Sequence, residues 1–422
     1  MGGGIPAAGP RRLGAALKTT GRARPRLLVL NQYYWPGVEA TAHLLSDLCA
    51  ALADEFEITV VTGALARPDA RPGRSVHDGV QIVRVRSTSL DRTGLGRRAV
   101  NYASYLAGAL VAGTRQRRPD VVLSMTDPPV VADVALAVAR RFRVPLVVVS
   151  QDVFPEAAVA LGRLENPLVI ALLRALIAGY LRRADRLVAI GETMRERLVA
   201  KGADGRRITV IPNWVDTTEL EPRPHDNSWA QQHGLAGRFV VMHSGNVGQA
   251  QDLDSLIRAS TLLRDLSDLA VAIVGGGTRR SELKELARVL GADPVSFFAY
   301  QPRELLSLSL SAAHVHVVGL ASGLSGYVVP SRIYGILSVG RPAIVAADED
   351  SETARLVHHA GCGIVVPPGR PELLAAAIRE CHDGAHDLEE MGRRGREHVR
   401  GHADRSVAVG RYRDLLRELV GG

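Results

Sequence analysis

Lysine is almost missing from this sequence. Of 52 basic residues only Lys18, Lys201 and Lys284 are lysine; the rest are arginine. No basic run is interleaved with aromatics, so the net charge of +8 carries no nucleic-acid footprint. The excess reads either as a preference for anionic partners or as the arginine-rich usage of a GC-rich coding sequence. Aromatics make up 4%, which leaves the core to Val, Leu, Ile and Ala. Cys49, Cys362 and Cys381 are too few and too scattered for a disulfide framework or a metal knot, and fit a reducing cytoplasm. No apolar run is long enough to span a bilayer. Residues 1–24, rich in Gly, Ala, Pro and Arg, lack the apolar centre of a signal peptide and read as a disordered tail or a misassigned start. The expected location is the cytoplasm, free or at the inner face of the cell membrane.

A chain of 422 residues with 46% hydrophobic and 23% charged residues is globular and long enough for two or three domains. Short apolar runs of strand length alternate with helical patterns from Arg26 to Ile211. Uninterrupted runs such as Leu27 to Leu30 and Leu146 to Ser150 belong to strands covered on both faces, so the first half is a parallel α/β domain. The stretch from Pro212 to Trp229, with three prolines, breaks the rhythm and reads as a linker. The second half repeats the plan. The expected division is a first domain over 25–212, a linker over 213–236, a second domain over 237–405 and a final helix over 406–422. Ligands of such doubly wound sheets lie beyond the carboxyl ends of the strands, which places a site in the cleft between the halves.

The stretch Ser322 to Pro342 organises the second half. A glycine-rich turn follows an apolar strand and leads into a helix beginning near Pro330-Ser331, with Ser331 a candidate cap and Gly340-Pro342 the stop. Free N–H groups, glycines and Arg332 together suit an anion such as a diphosphate. An ordinary strand-loop-helix with a solvated arginine fits the same pattern. Gly275-Gly276-Gly277 also follows a strand and precedes a helix, but it lacks the spacing and the downstream acidic residue of a dinucleotide fingerprint, which excludes NAD. Asp252-Leu253-Asp254 looks like a metal-binding pair but stands at a helix start, where aspartate is favoured by capping alone.

Six motifs in order are together specific. They are Leu30-Asn31-Gln32-Tyr33-Tyr34-Trp35-Pro36, Ser150-Gln151-Asp152-Val153-Phe154-Pro155-Glu156, Ile211-Pro212-Asn213-Trp214-Val215-Asp216, Ser244-Gly245-Asn246-Val247-Gly248, Val274-Gly275-Gly276-Gly277 and Val329-Pro330-Ser331-Arg332-Ile333-Tyr334-Gly335. In these the chain resembles the GT-B glycosyltransferases of family 4 over residues 26 to 420. The branch it resembles contains sugar transferases of O-antigen and colanic-acid synthesis, including N-acetylfucosamine transferases. The resemblance implies two Rossmann-like, doubly wound parallel-sheet domains facing across a cleft. It implies a nucleotide-diphosphate sugar donor, UDP-linked, held by the second domain, and a saccharide or polyprenyl-linked acceptor held by the first. Transfer would retain the anomeric configuration and need neither metal nor other cofactor. The last helix would cross back onto the first domain. One departure stands out: the Glu that grips the donor ribose in many members is replaced by Gly335.

On this reading the donor is contacted by Gly37, Asn246, Gly248, Gly275, Gly276, Gly277, Arg279, Tyr300, Gln301, Gly326, Tyr327, Val328, Ser331 and Arg332. Arg332 would also act in catalysis by stabilising the departing diphosphate. Asp152 and Glu156 are the carboxylates at the first-domain rim, suited to act as nucleophile or to orient the acceptor hydroxyl; Asp152 could instead cap the helix that starts at Pro155. Pro167 to Arg183 is apolar and carries Arg174, Arg182 and Arg183, so membrane docking and core packing both fit it. Two other readings stay open: a nucleotide-sugar 2-epimerase of the same fold, and an inactive nucleotide-sugar-binding scaffold.

Overall fold

Valine, leucine, isoleucine and alanine dominate the inner strands, and the computed structural model shows why. It describes residues 24–37, 39–64, 70–88 and 95–421; most of the expected tail, 1–23, lies outside them. The first half contains β1 (Arg26–Leu30), α1 (Ala40–Leu52), β2 (Glu57–Gly63), β3 (Gly73–His77), β4 (Val80–Val85), α2 (Leu95–Thr114), β5 (Val121–Met125), α3 (Val131–Phe142), β6 (Leu146–Ser150), α4 (Glu156–Ala160), α5 (Pro167–Arg183), β7 (Arg186–Ala189), α6 (Glu192–Ala200) and β8 (Ile208–Val210). Its sheet runs in the order β3-β4-β2-β1-β5-β6-β7-β8. Leu28, Leu30 and Val148 face a layer built from α2, α3 and α5. Leu27, Val29 and Val147 face the opposite layer, which includes α1. Burial on both faces is what continuous apolar strands require.

The second half contains α7 (Ser228–Gln232), β9 (Phe239–Ser244), α8 (Leu253–Thr261), β10 (Leu269–Val274), α9 (Arg280–Leu290), β11 (Val295–Phe298), α10 (Leu306–Ser311), β12 (Val315–Gly319), α11 (Arg332–Ser338), β13 (Ala343–Ala346), α12 (Glu352–Ala360), β14 (Gly363–Val366), α13 (Pro371–His382), α14 (Leu388–His402) and α15 (Arg405–Gly421). Its sheet is wholly parallel, in the order β11-β10-β9-β12-β13-β14.

Two elements depart from the sequence reading. β3 is antiparallel to β4 and forms an exposed edge, so the first sheet is not purely parallel. Its residues alternate too weakly to read as a strand, but Asp78-Gly79, both at positive φ (46° and 75°), is the turn that a tight hairpin needs. Within the stretch read as linker, α7 folds onto the second half and buries Trp229 there. Ahead of α7 the outgoing crossing lies beside the returning one: Val215 N donates to Ala403 O (3.1 Å) and Arg405 N to Val215 O (2.9 Å). α15 then packs on α1 and places Tyr412, Leu415 and Leu416 in the core of the first half. Among the described residues no helix is long and apolar enough to cross a membrane.

Candidate functional site

Each sheet reverses its winding once, between β1 and β5 in the first and between β9 and β12 in the second. Such switch points open a crevice at the strands' carboxyl ends. In the second half β9 pairs with β10 on its other side, which sets the loop after β9, Gly245 to Gly248, beside the loop after β10, Gly275 to Gly277. Gly275 N donates to Phe298 O (3.1 Å), and Val247 N donates to Gly276 O (2.8 Å). Gly275 and Gly277 have φ of 145° and 158°, and a Cβ would lie 1.9 Å from Gly245 O and 2.2 Å from Val247 O. These two glycines are therefore required by loop-on-loop contact rather than by a ligand. Gly276 is exposed and a Cβ there would meet nothing within 4 Å, so it is the glycine of the three that faces open space. Gly248 N is held by Gln251 Oε1 (2.9 Å), while the Asn246 side chain is exposed.

Arg332 lies against this pair of loops. Its guanidinium sits where a Cβ on Gly245 would be 3.5 Å away, and its Nη1 donates to His243 Nε2 at 2.9 Å. An arginine can only donate, so the imidazole is neutral. Burial and the neighbouring guanidinium hold the His243 pKa well below the ordinary histidine value. Among the described residues Arg332 has no carboxylate in ion-pair range. Burial brings its pKa down to about 10, which is the signature of a cation removed from water without a counter-charge. His243 was not singled out in the sequence; its position near the end of β9, two residues before the glycine loop, was the available signal.

Other expectations need correction. Ser331 is not a side-chain cap: it is itself helical (φ −62°, ψ −15°) and its hydroxyl makes no capping bond. α11 has only seven residues, so the anion field rests on Arg332 rather than on the helix start. Arg279 is committed to two carboxylates, Asp254 and Glu282, each at 2.5 Å, and is not available to a phosphate. That pair also accounts for Asp254, while Asp252 accepts from Ser255 Oγ (2.9 Å) and Gly369 N (2.7 Å). Gln301 is engaged through both ends of its amide, with Trp229 Nε1 and Ala299 O, each at 2.9 Å. Tyr300 beside it is 70% exposed.

The remaining members of the set lie where the halves meet. Gly326, Tyr327 and Val328 form a loop that plugs into the first half. Val153 N donates to Tyr327 O (2.9 Å), Asp152 pairs with Val328 as an isolated antiparallel bridge, and Val329 packs in the first-half core. Gly326 approaches α6 so closely that a Cβ would lie 2.8 Å from Thr193 O. Arg197 donates to Ser325 O (3.1 Å) and lies over the Tyr327 ring at 4.8 Å. Gly37, after the β1 loop, is buried and its N–H is taken by Tyr34 O at 2.8 Å; its backbone therefore offers no free donor.

Across this junction stands Asp152. It does not cap α4, whose N-cap residue is Pro155 and whose start has no side-chain capping bond. Its Oδ1 is buried with no hydrogen-bond partner among the described residues. Burial raises its carboxyl to about 6, against the opposing pull of a bond from Thr126. Asp133, in the first turn of α3, was not anticipated; burial raises it likewise to about 6, and its Oδ2 is also unpartnered. Glu156 differs. Burial alone would raise it, yet Lys201 (2.5 Å) and Arg174 (3.0 Å) grip both oxygens and hold it below the usual range. That clasp ties α4 to α5 and α6, so Glu156 is a structural ion pair rather than a proton carrier.

Two doubly wound α/β halves, each with one reversal of winding and joined where Asp152 pairs with Val328, have the architecture of the GT-B class of glycosyltransferase fold. Comparisons with known proteins reach the same class independently. Residues 37–214 match the glycosyl transferase 4-like domain and residues 226–398 the glycosyl transferases group 1 domain; the chain belongs to this family of glycosyltransferases. It is 25% identical over 397 residues to the probable glycosyltransferase WbjE of Pseudomonas aeruginosa, covering 94% of this chain and 98% of WbjE. It is 26% identical over 293 residues to the putative colanic acid biosynthesis glycosyl transferase WcaI of Escherichia coli (67% and 72% covered). Among solved structures, HepE of Anabaena in complex with UDP superimposes with a TM-score of 0.72 at 16% identity, over 93% of this chain and all of HepE. Sucrose-phosphate synthase of Thermosynechococcus elongatus gives 0.76 at 15% identity, over 94% and 100%.

Proposed function

We propose that the chain transfers a hexosyl group from a UDP-linked sugar to a saccharide or lipid-linked saccharide, with retention of configuration, in the synthesis of a cell-surface polysaccharide. One observation carries this reading: Arg332, a partly buried guanidinium with no acidic partner among the described residues, held by neutral His243 against two glycine loops at the second switch point. A site that leaves a cation uncompensated supplies stabilisation when an anion occupies it. In the reaction the bond from the anomeric carbon to the diphosphate breaks and a bond to the acceptor oxygen forms. Arg332 meets the charge left on the diphosphate. Asp152 orients the acceptor hydroxyl, whose proton passes to the departing phosphate oxygen. UDP is favoured because HepE, of the same fold, has been crystallised with UDP and with UDP-glucose. The name of WcaI, a putative colanic acid biosynthesis glycosyl transferase, supports the polysaccharide setting.

On the acceptor side, α5 leaves Leu168 80% and Leu172 61% exposed, with Val169 and Leu176 beside them and Arg174, Arg182 and Arg183 on the same helix. An apolar stripe flanked by arginines suits peripheral contact with an anionic membrane that presents a lipid-linked acceptor. The test is a panel of nucleotide sugars scored by thermal shift, then by transfer, with the anomeric configuration of the product read by NMR. Stabilisation by UDP-sugars and an unchanged configuration are expected. Turnover of the donor to an epimer without acceptor, or tight binding with no turnover, would replace the reading with an epimerase or a scaffold.

A further inference from the structure

The α2 side of the first sheet changes character halfway along its strands. On this face Leu28, Leu30, Val61 and Val83 lie in or against the core beneath α2 and α3. Toward the amino ends of the same strands the alternation turns polar. Arg26 and Glu57 are paired in register, and Gln81 lies on the same face, while Arg74 projects from the edge strand β3 opposite Val83. Helix α2 stops before it covers them. The chain leaving α2 brings the exposed Arg115 and Arg117 beside the uncovered floor, where they line an open cavity of about 310 Å³. Four arginines thus meet in one cavity with one carboxylate, and Glu57 is already bonded to Arg26 at 3.2 Å. Among the described residues Arg74, Arg115 and Arg117 have no ion-pair partner.

The end of α2 does not need these arginines. The carbonyls of Leu110 and Val111 accept from the Thr114 hydroxyl (2.8 and 3.2 Å), and that of Ala112 from Gln116 Nε2 (2.8 Å). Guanidinium groups that outnumber the one carboxylate beside them repel one another, and planar forks of this kind match phosphate oxygens. We propose that this cavity, at the end of the sheet opposite the cleft, binds a phosphate-bearing anion. The shared chemistry is a compact phosphate group, carried either by a free metabolite or by the headgroup of an anionic lipid. The site is independent of donor binding in the cleft.

The experiment is calorimetric titration of the full chain with inorganic pyrophosphate. It is run on the parent, on Arg332→Ala, on the double variant Arg74→Ala/Arg117→Ala, and on Gln81→Glu, which adds a carboxylate to the floor. All four are checked by circular dichroism. Binding that survives Arg332→Ala, weakens at least about tenfold in the double variant and in Gln81→Glu, and falls as salt rises from 50 to 300 mM is the expected result, because exposed arginines are screened. Flotation with phosphatidylglycerol vesicles separates the sources. Loss of flotation in the double variant, with α5 intact, assigns the lipid headgroup; unchanged flotation assigns a free phosphate compound. A pyrophosphate isotherm that the double substitution leaves unchanged overturns the proposal whatever the vesicles show, as does one that Arg332→Ala abolishes completely.

Discussion

At the residue scale the cleft depends on two groups whose surroundings work against their charge. Arg332 lacks a counter-ion among the described residues, so its removal takes away stabilisation that only the departing diphosphate uses. Arg332→Ala should lower kcat/KM by about 10²-fold or more, the usual loss for one oxyanion donor, and Arg332→Lys should recover only part, because a point charge replaces a fork. A steady-state assay showing less than a fivefold loss for the alanine variant would remove Arg332 from the chemistry. Asp152 allows a test by pH. Its folded pKa of about 6 stands above the ordinary 3.8, so the native state holds the proton more tightly than the unfolded chain. The penalty for ionising it is absent below about pH 4, grows between 4 and 6, and is complete above 6. Asp152→Asn should therefore raise stability at pH 7.5 by up to about 3 kcal/mol while lowering kcat about 10²-fold. It should also erase the acidic limb near pH 6 from the rate profile. A variant that is less stable at pH 7.5 but fully active would show that the carboxylate serves folding instead.

Elements were legible where pattern and burial agree. The apolar runs of β1, β6 and β10 and the stripes of α8 and α13 announce themselves, because strands buried on two faces leave no polar position to confuse the period. β3 did not, since an edge strand with one exposed residue after another carries little periodicity; its signal was Asp78-Gly79. The glycine loops were only half legible. Three consecutive glycines after β10 mark a backbone constraint, but which of them meets another loop and which meets open space depends on β9 lying next to β10, and that is a long-range fact. The long-range ion pairs of Arg279 and Glu156 were equally out of reach, since Asp254, Lys201 and Arg174 are distant in sequence; only Glu282, three residues after Arg279, stood close enough to be seen. The loop argument separates two neighbouring substitutions. Gly275→Ala puts a Cβ onto a carbonyl oxygen and should destabilise by more than about 3 kcal/mol. Gly276→Ala should change stability by less than about 0.5 kcal/mol yet raise KM for the donor. Thermal melts and donor kinetics on both decide it: equal melting temperatures would show that the loops do not touch as described.

At the scale of the whole molecule the contacts that join the halves include the plug of Tyr327 to Val329, the clasp between α6 and α12, and α15. The clasp is polar. Glu352 Oε2 accepts from both Thr193 N and Thr193 Oγ1 at 2.9 Å, and Arg355 pairs with Glu196 at 2.9 Å. Contacts of this sort can part and re-form without exposing much apolar surface, as cleft opening requires. α15 differs in kind, because Tyr412 and Leu416 are fully buried in the core of the first half, and losing them would expose that core. The joint is anchored on one carboxylate. Asp47 on α1 accepts from Trp214 Nε1 on the outgoing crossing and from Arg405 Nε on the returning one, each at 2.7 Å. Asp47→Ala removes both charge-assisted bonds at once and should lower stability by about 3 kcal/mol. For a chain of this length that is a fall of only a few degrees in Tm, but the shape of the transition is the sharper readout. If α15 makes the first half depend on the second, the parent melts in one transition and the variant in one transition at lower temperature. Two separate transitions in the parent by calorimetry would mean that the halves fold independently and that α15 is merely laid against its neighbour.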